Sequence, residues 1–183
     1  MMRPGFDPAA VVAYWRAAGP SRWYAGGPRF DAQVRLRLGP ARAAAVAAPP
    51  SPDNPSAALA ALILFDQVPR NIFRGQAEAF ATDPLARAVA RAAIARRFDR
   101  RVPHLHLLQQ FFYLPLMHAE DLADQERCVA LCRAAGDEML LRYAEIHRDV
   151  IRRFGRFPHR NAALGRTPTA AETRFLADGG FSA

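Results

Sequence analysis

Lysine is missing altogether from the 183 residues, so all 25 basic side chains are arginine, while alanine fills about a fifth of the positions. That bias fits an arginine-coding, GC-rich genome better than a surface selected for nucleic acid. Cysteine is nearly missing as well, with only Cys128 and Cys132 present. Two thiols cannot complete a tetrahedral zinc site, and cysteines one helical turn apart form poor disulfides, so they read as buried thiols of a reducing cytoplasm. No apolar run approaches the ~20 residues a membrane helix requires; the longest, Ala57–Phe65, is half that. Met1–Pro8 contains Arg3 and two prolines but no apolar signal core, which argues against export. β-branched clusters and strict alternation are scarce, so no strand is expected. There is no phosphate-binding glycine loop, nucleophile elbow or dinucleotide fingerprint, and no organic cofactor is expected.

What is present is helical. Half the residues are hydrophobic and 23% are charged, which excludes a disordered chain, and the length fits one domain over 1–183. Asp7-Pro8 reads as an N-cap with proline at the first helical position, and that helix ends near Gly19-Pro20. A second helix starts near Phe30-Asp31, pauses at Gly39-Pro40 and extends to Ala48. The proline-rich segment 49–55 is a loop. Ser56 then caps an apolar helix that Pro69 stops after Val68. Thr82-Asp83-Pro84 opens a helix to about Phe98, and a shorter one runs from Pro103 to near Tyr113. Glu120 or Asp121 opens a helix to Ala135, Asp137 one to Phe154, and Thr169 through Glu172 forms a capping box for a short terminal helix at about 170–177. The expected fold is therefore all-α, a stack of seven to nine antiparallel helices joined by short connections.

Charge is unevenly placed along this pattern. His147–Arg166 holds six arginines against Asp149, whereas Ala119–His147 holds seven acids against three arginines. Such polarity suits internal pairing or an anionic ligand.

Several polar residues fall where the helical period demands apolar ones. Asp66 continues the stripe of Leu59, Leu62 and Ile63, and a buried carboxylate there needs a partner, for which Arg70 is placed if the chain stays helical through Pro69. Asp66, Arg70, Asn71 and Arg74 then form either a structural ion pair with its neighbours or one wall of a polar pocket. His147 sits in the stripe of Leu140, Ala144, Ile151 and Phe154, as a core histidine or as an acid–base or ligand-contacting group. His118 shares a face with Asp121 if a helix starts there. Together with His147 these make a two-histidine, one-carboxylate set, but the spacing matches no metal motif and no metal is expected. The turn Arg152 through Asn161 projects guanidinium groups from a helix end broken by Gly155 and Pro158, an arrangement suited to carboxylate or phosphate.

Three segments carry a family likeness. Leu62 through Gly75 (Leu-Ile-Leu-Phe-Asp-Gln-Val-Pro-Arg-Asn-Ile-Phe-Arg-Gly), Tyr113 through Leu122 (Tyr-Leu-Pro-Leu-Met-His-Ala-Glu-Asp-Leu), and His147-Arg148 with Arg153 through Asn161 resemble a bacterial family catalogued as domain of unknown function 924, within the TPR-like helical superfamily. Leu164 through Thr169, Glu172 and Phe175-Leu176 match it too, so the resemblance extends over nearly the whole chain from Tyr14. It implies a TPR-like stack of antiparallel helices and supplies no reaction. Residues 25–29 and the loop before Ser56 depart from the family's pattern.

The expected activity is the binding of a small anionic ligand in a polar pocket of the helical stack. Arg70, Arg74, Arg156 and Arg160 would hold the anion, and Asn71 and Asn161 would orient it. His118 or His147 would handle protons in hydrolase- or lyase-type chemistry, with Asp66 and Glu120 fixing the arginines or histidines. The alternative is a TPR-like module that holds a peptide without catalysis. The arginine surplus alone is a weak argument for RNA. The sequence leaves open whether the site is catalytic and what the oligomeric state is.

Overall fold

Asp7 accepts a hydrogen bond from Ala9 N–H at 2.9 Å, and Pro8 needs no amide partner at the first position, so helix α1 runs Pro8–Ala18 and ends at Gly19 with φ 75°. A computed structural model describes residues 7–102 and 105–182 of the chain, without the side chains of 105 and 106. The expected start of a helix at Pro103 lies outside the described residues. Two compact units are present, Met1–Pro115 and Leu116–Ala183. Among the described residues there is no strand, and seven helices have eight residues or more, with shorter helical turns between them.

In the first unit, α2 spans Gly27–Ala47. It begins earlier than Phe30 because Pro28 stands in the first turn, where the missing N–H is harmless. It also passes through Gly39-Pro40 without the expected pause. Gly39 has no Cβ to clash with the proline ring, and Leu38 and Ala45 stay buried on one face across the defect. Helix α3, Pro55–Leu62, is capped two residues before Ser56. Asn54 accepts from Ala57 N–H at 2.9 Å, and Pro55 takes the first position.

Pro69 does not stop this helix. The chain widens into a π-helical turn over Ile63–Gln67 and continues as α-helix over Val68–Ile72. Val68 N–H reaches back five residues to Ile63 C=O. The carbonyl deprived of its donor by Pro69, that of Phe65, is met by the Thr82 hydroxyl at 2.6 Å, both groups being buried. Thr82 thus serves the neighbouring segment while α4, Asp83–Ala95, begins without a side-chain cap. The helix stops at Ala95, short of Phe98, because Arg97 turns left-handed at φ 58°.

The second unit is built on α5, Leu122–Ala135, packed along α6, Glu138–Phe154. Asp121 and Asp137 cap them through Asp124 N–H and Leu140 N–H. Leu140, Ala144, His147, Val150 and Ile151 form the buried face of α6, and Cys128 and Cys132 are buried free thiols on α5, their sulfurs 3.9 Å apart. Gly155, at φ 70°, ends α6, as expected. Helix α7, Ala170–Ala177, starts on the complete Thr169–Glu172 capping box.

Removing the hydroxyl that rescues the Phe65 carbonyl tests why the helix survives its proline. Thr82→Val leaves a buried acceptor unpaired and is expected to lower unfolding stability by about 1–3 kcal/mol in urea titration. Stability equal to that of the wild type would mean that the carbonyl does not depend on Thr82.

Candidate functional site

Four of the expected site residues lie in the first unit, all at or just beyond the π-helical turn. Asp66 is buried and lies 3.1 Å from Arg70, which also forks onto Asp83 at 2.9 and 3.0 Å. Burial works against the Arg70 charge, but Asp66 and Asp83 outweigh it and raise its pKa. Asn71 donates to the Gln67 carbonyl one turn back at 3.0 Å, so its amide helps to close the irregular turn. Arg74 is exposed and makes a two-point contact with Asp31 of α2, at 2.9 and 3.0 Å, which raises its pKa. Each arginine here therefore already holds a carboxylate.

The other six lie in the second unit and fall into two groups. One is a continuous polar chain. Glu120 accepts from Phe157 N–H at 2.7 Å and from both ends of the Arg166 fork at 2.7 and 3.0 Å. Burial would raise the pKa of Glu120, but Arg166 and the Phe157 amide outweigh it and hold the carboxyl low. Arg166 passes the chain on by donating from Nε to the side-chain oxygen Oδ1 of Asn161 at 2.9 Å, and Asn161 Nδ2 donates to Glu172 at 3.3 Å. Glu172, 2% exposed, takes Arg156 Nε at 2.6 Å, Arg156 Nη2 at 2.8 Å and Thr169 N–H at 2.7 Å. The Arg156 hydrogen bond is the main cause of a Glu172 pKa near 2. Three of these donors converge on Oε2 and one, Arg156 Nε, on Oε1.

The second group is aromatic. His147 is buried, its Nδ1 lying 2.8 Å from Tyr143 C=O. Because a carbonyl can only accept, Nδ1 carries the proton and Nε2 the lone pair. The His147 ring lies 6.2 Å from that of His118, 5.6 Å from Phe157 and 4.3 Å from Phe181, centroid to centroid. Phe181 also contacts His159 at 5.5 Å, and the buried Arg160 guanidinium lies 4.5 Å over the Phe157 ring. Burial, then the neighbouring His118, pull His147 down to about 3; burial and Arg160 pull His159 to about 4. Both imidazoles are neutral at pH 7. A group at 3 is too weak a base to take protons efficiently there. No set of three His, Cys, Asp or Glu side chains among the described residues could hold a metal ion.

Between the end of α6 and the start of α7 lies an open depression of about 580 Å³ lined by Arg153, Phe154, Arg156, Thr169, Ala171 and Glu172. Arg153 stacks on Phe154 at 4.8 Å and Phe175 at 5.4 Å. Arg153 and Arg166 were not among the expected site residues. Arg166 meets a carboxylate 46 positions away, which no local spacing announces. Arg153 was visible only as one member of the basic turn.

The histidines make an acid limb. A folded-state pKa below the unfolded value near 6.5 means that the unfolded chain binds the proton first, so stability is lost as pH falls from 6.5 toward 3. His147 alone is expected to cost about 2 kcal/mol between pH 6.5 and 5. His147→Asn, whose amide can still donate to Tyr143 C=O, is expected to flatten this limb in urea titrations across that range. An unchanged slope would contradict the assignment.

No curated protein matches the chain. A solved structure of a protein of unknown function from Agrobacterium tumefaciens is similar, with 42% identity, a TM-score of 0.88, and coverage of 94% of this chain and 97% of that one. The family model described as "Bacterial protein of unknown function (DUF924)" matches residues 11–180, and the chain belongs to that family.

Proposed function

We propose that the second unit binds a small anionic molecule in the depression between α6 and α7. One observation carries the reading. Arg153 makes no hydrogen bond or ion pair among the described residues, and Arg156 keeps Nη1 unused after its contacts with Glu172 and Thr167. Glu172 already accepts from Arg156, Asn161 and Thr169, so its charge is largely answered from within the protein. Two guanidinium groups beside an open hollow suit a carboxylate or phosphate, which Arg153 can grip through a planar fork and Arg156 through Nη1 alone. The Phe154 ring adds an apolar wall for the remainder of the molecule.

His118, His147, Arg160 and Asn161 support this reading as the frame that holds the turn, and Glu120 anchors it. Binding, without acid–base chemistry at His147, fits an imidazole held at about 3. A second reading, a peptide lying along the helical stack as TPR-like modules hold theirs, is favoured by Met139 and Tyr143, 73% and 52% exposed one turn apart on α6.

Thermal shift against a panel of small carboxylates and phosphate esters tests the first reading, because a ligand that binds only the folded state raises its melting temperature. Arg153→Ala, which breaks no ion pair, is expected to melt like the wild type without ligand and to bind the stabilising compound at least tenfold more weakly. If no compound stabilises the wild type, or Arg153→Ala binds as tightly, the reading fails. Stabilisation by peptides alone, lost in Tyr143→Ala, would favour the second.

A further inference from the structure

Three charged side chains, Arg153, Arg156 and Glu172, line the depression between α6 and α7. Arg156 meets Glu172 at 2.6 and 2.8 Å, and within that two-point pair the charges cancel. Arg153 is left as the uncancelled charge of the lining, its guanidinium resting against the rings of Phe154 and Phe175. The start of α7 adds no further pull on an anion, because Glu172 already stands there as the acid of the capping box. Neighbouring Arg152 is within ion-pair reach of Glu126 and Asp149. Nor does the unit as a whole tip the balance: 116–183 holds ten arginines and ten acids, so its net charge is zero while the histidines are neutral.

One surplus positive charge is answered by one negative charge. A carboxylate supplies it and matches the planar fork of Arg153, with Nη1 of Arg156 as a further donor. A phosphomonoester carries about −1.5 to −2 near neutral pH. Its second charge would stand beside Glu172 with no cation of the lining left to meet it. The depression of about 580 Å³ is larger than an acid group alone and is of the size that small molecules fill, with Phe154 and Ala171 as its carbon-rich wall. Building on the anion-binding reading above, we propose that the ligand is a singly charged carboxylate with an apolar body, and that the Arg156–Glu172 pair sets the preference against phosphomonoesters.

Calorimetric titration of the full-length protein with 3-phenylpropionate and with phenyl phosphate at pH 8, two probes of similar size and different charge, tests this preference. The wild type is expected to bind 3-phenylpropionate about tenfold more tightly than phenyl phosphate. Glu172→Gln, whose amide can still complete the capping box, removes one negative charge and is expected to erase most of that difference. If Glu172→Gln fails to fold, the wild-type comparison decides alone. Phenyl phosphate binding as tightly as the carboxylate, and lost in Arg153→Ala, would overturn the preference while leaving anion binding in the depression supported. An unchanged preference in folded Glu172→Gln would overturn the role of the ion pair. Binding of neither probe, or binding of 3-phenylpropionate that Arg153→Ala leaves intact, would overturn both the preference and the reading beneath it.

Discussion

Glu172 is the hub of the second unit. It closes the capping box that starts α7, grips Arg156 with both oxygens, and accepts from Asn161. Through Asn161 and Arg166 the same chain of contacts reaches Glu120, which in turn holds the backbone at Phe157. The segment from Gly155 to Thr169 has little regular structure of its own, so these charge-assisted hydrogen bonds set its path. With the carboxylates consumed, the arginines left over become the chemically interesting ones.

The first unit solves the same problem at an irregular helix. Pro69 removes one backbone donor, the widened turn shifts the ladder, and Thr82, Asn71 and Arg70 each satisfy a main-chain carbonyl there. Arg70 is then clamped between Asp66 and Asp83. Polar groups that looked like a pocket wall in the sequence therefore already have full structural employment. π-Helical turns often mark functional positions, and here the chain just beyond the turn is tied to α2 by the fork of Arg74 on Asp31.

Much of the helical content was legible because caps and breakers act locally. Asp7-Pro8, Asp121, Asp137, Gly155 and Thr169 through Glu172 do in the structure what their residue types dictate. Proline reads in the sequence as a terminator, and at Pro40 and Pro69 the helix continues through it. At Pro40 a preceding glycine removes the clash, and at Pro69 a threonine thirteen residues downstream repairs the lost bond, neither of which periodicity reveals. His147 as a buried polar residue and the Asp66–Arg70 pair were readable from the apolar stripe, because burial of an ionisable group breaks the pattern. Which arginines are neutralised was not readable, since Arg74–Asp31 and Arg166–Glu120 join residues 43 and 46 positions apart.

That partition between tied and uncommitted arginines is tested most directly by hydrogen exchange at the individual Nε–Hε groups. Arg74, Arg156 and Arg166, whose Nε protons are bonded to Asp31, Glu172 and Asn161, are expected to exchange much more slowly than Arg153. Exchange at Arg156 and Arg166 as fast as at Arg153 would contradict the account.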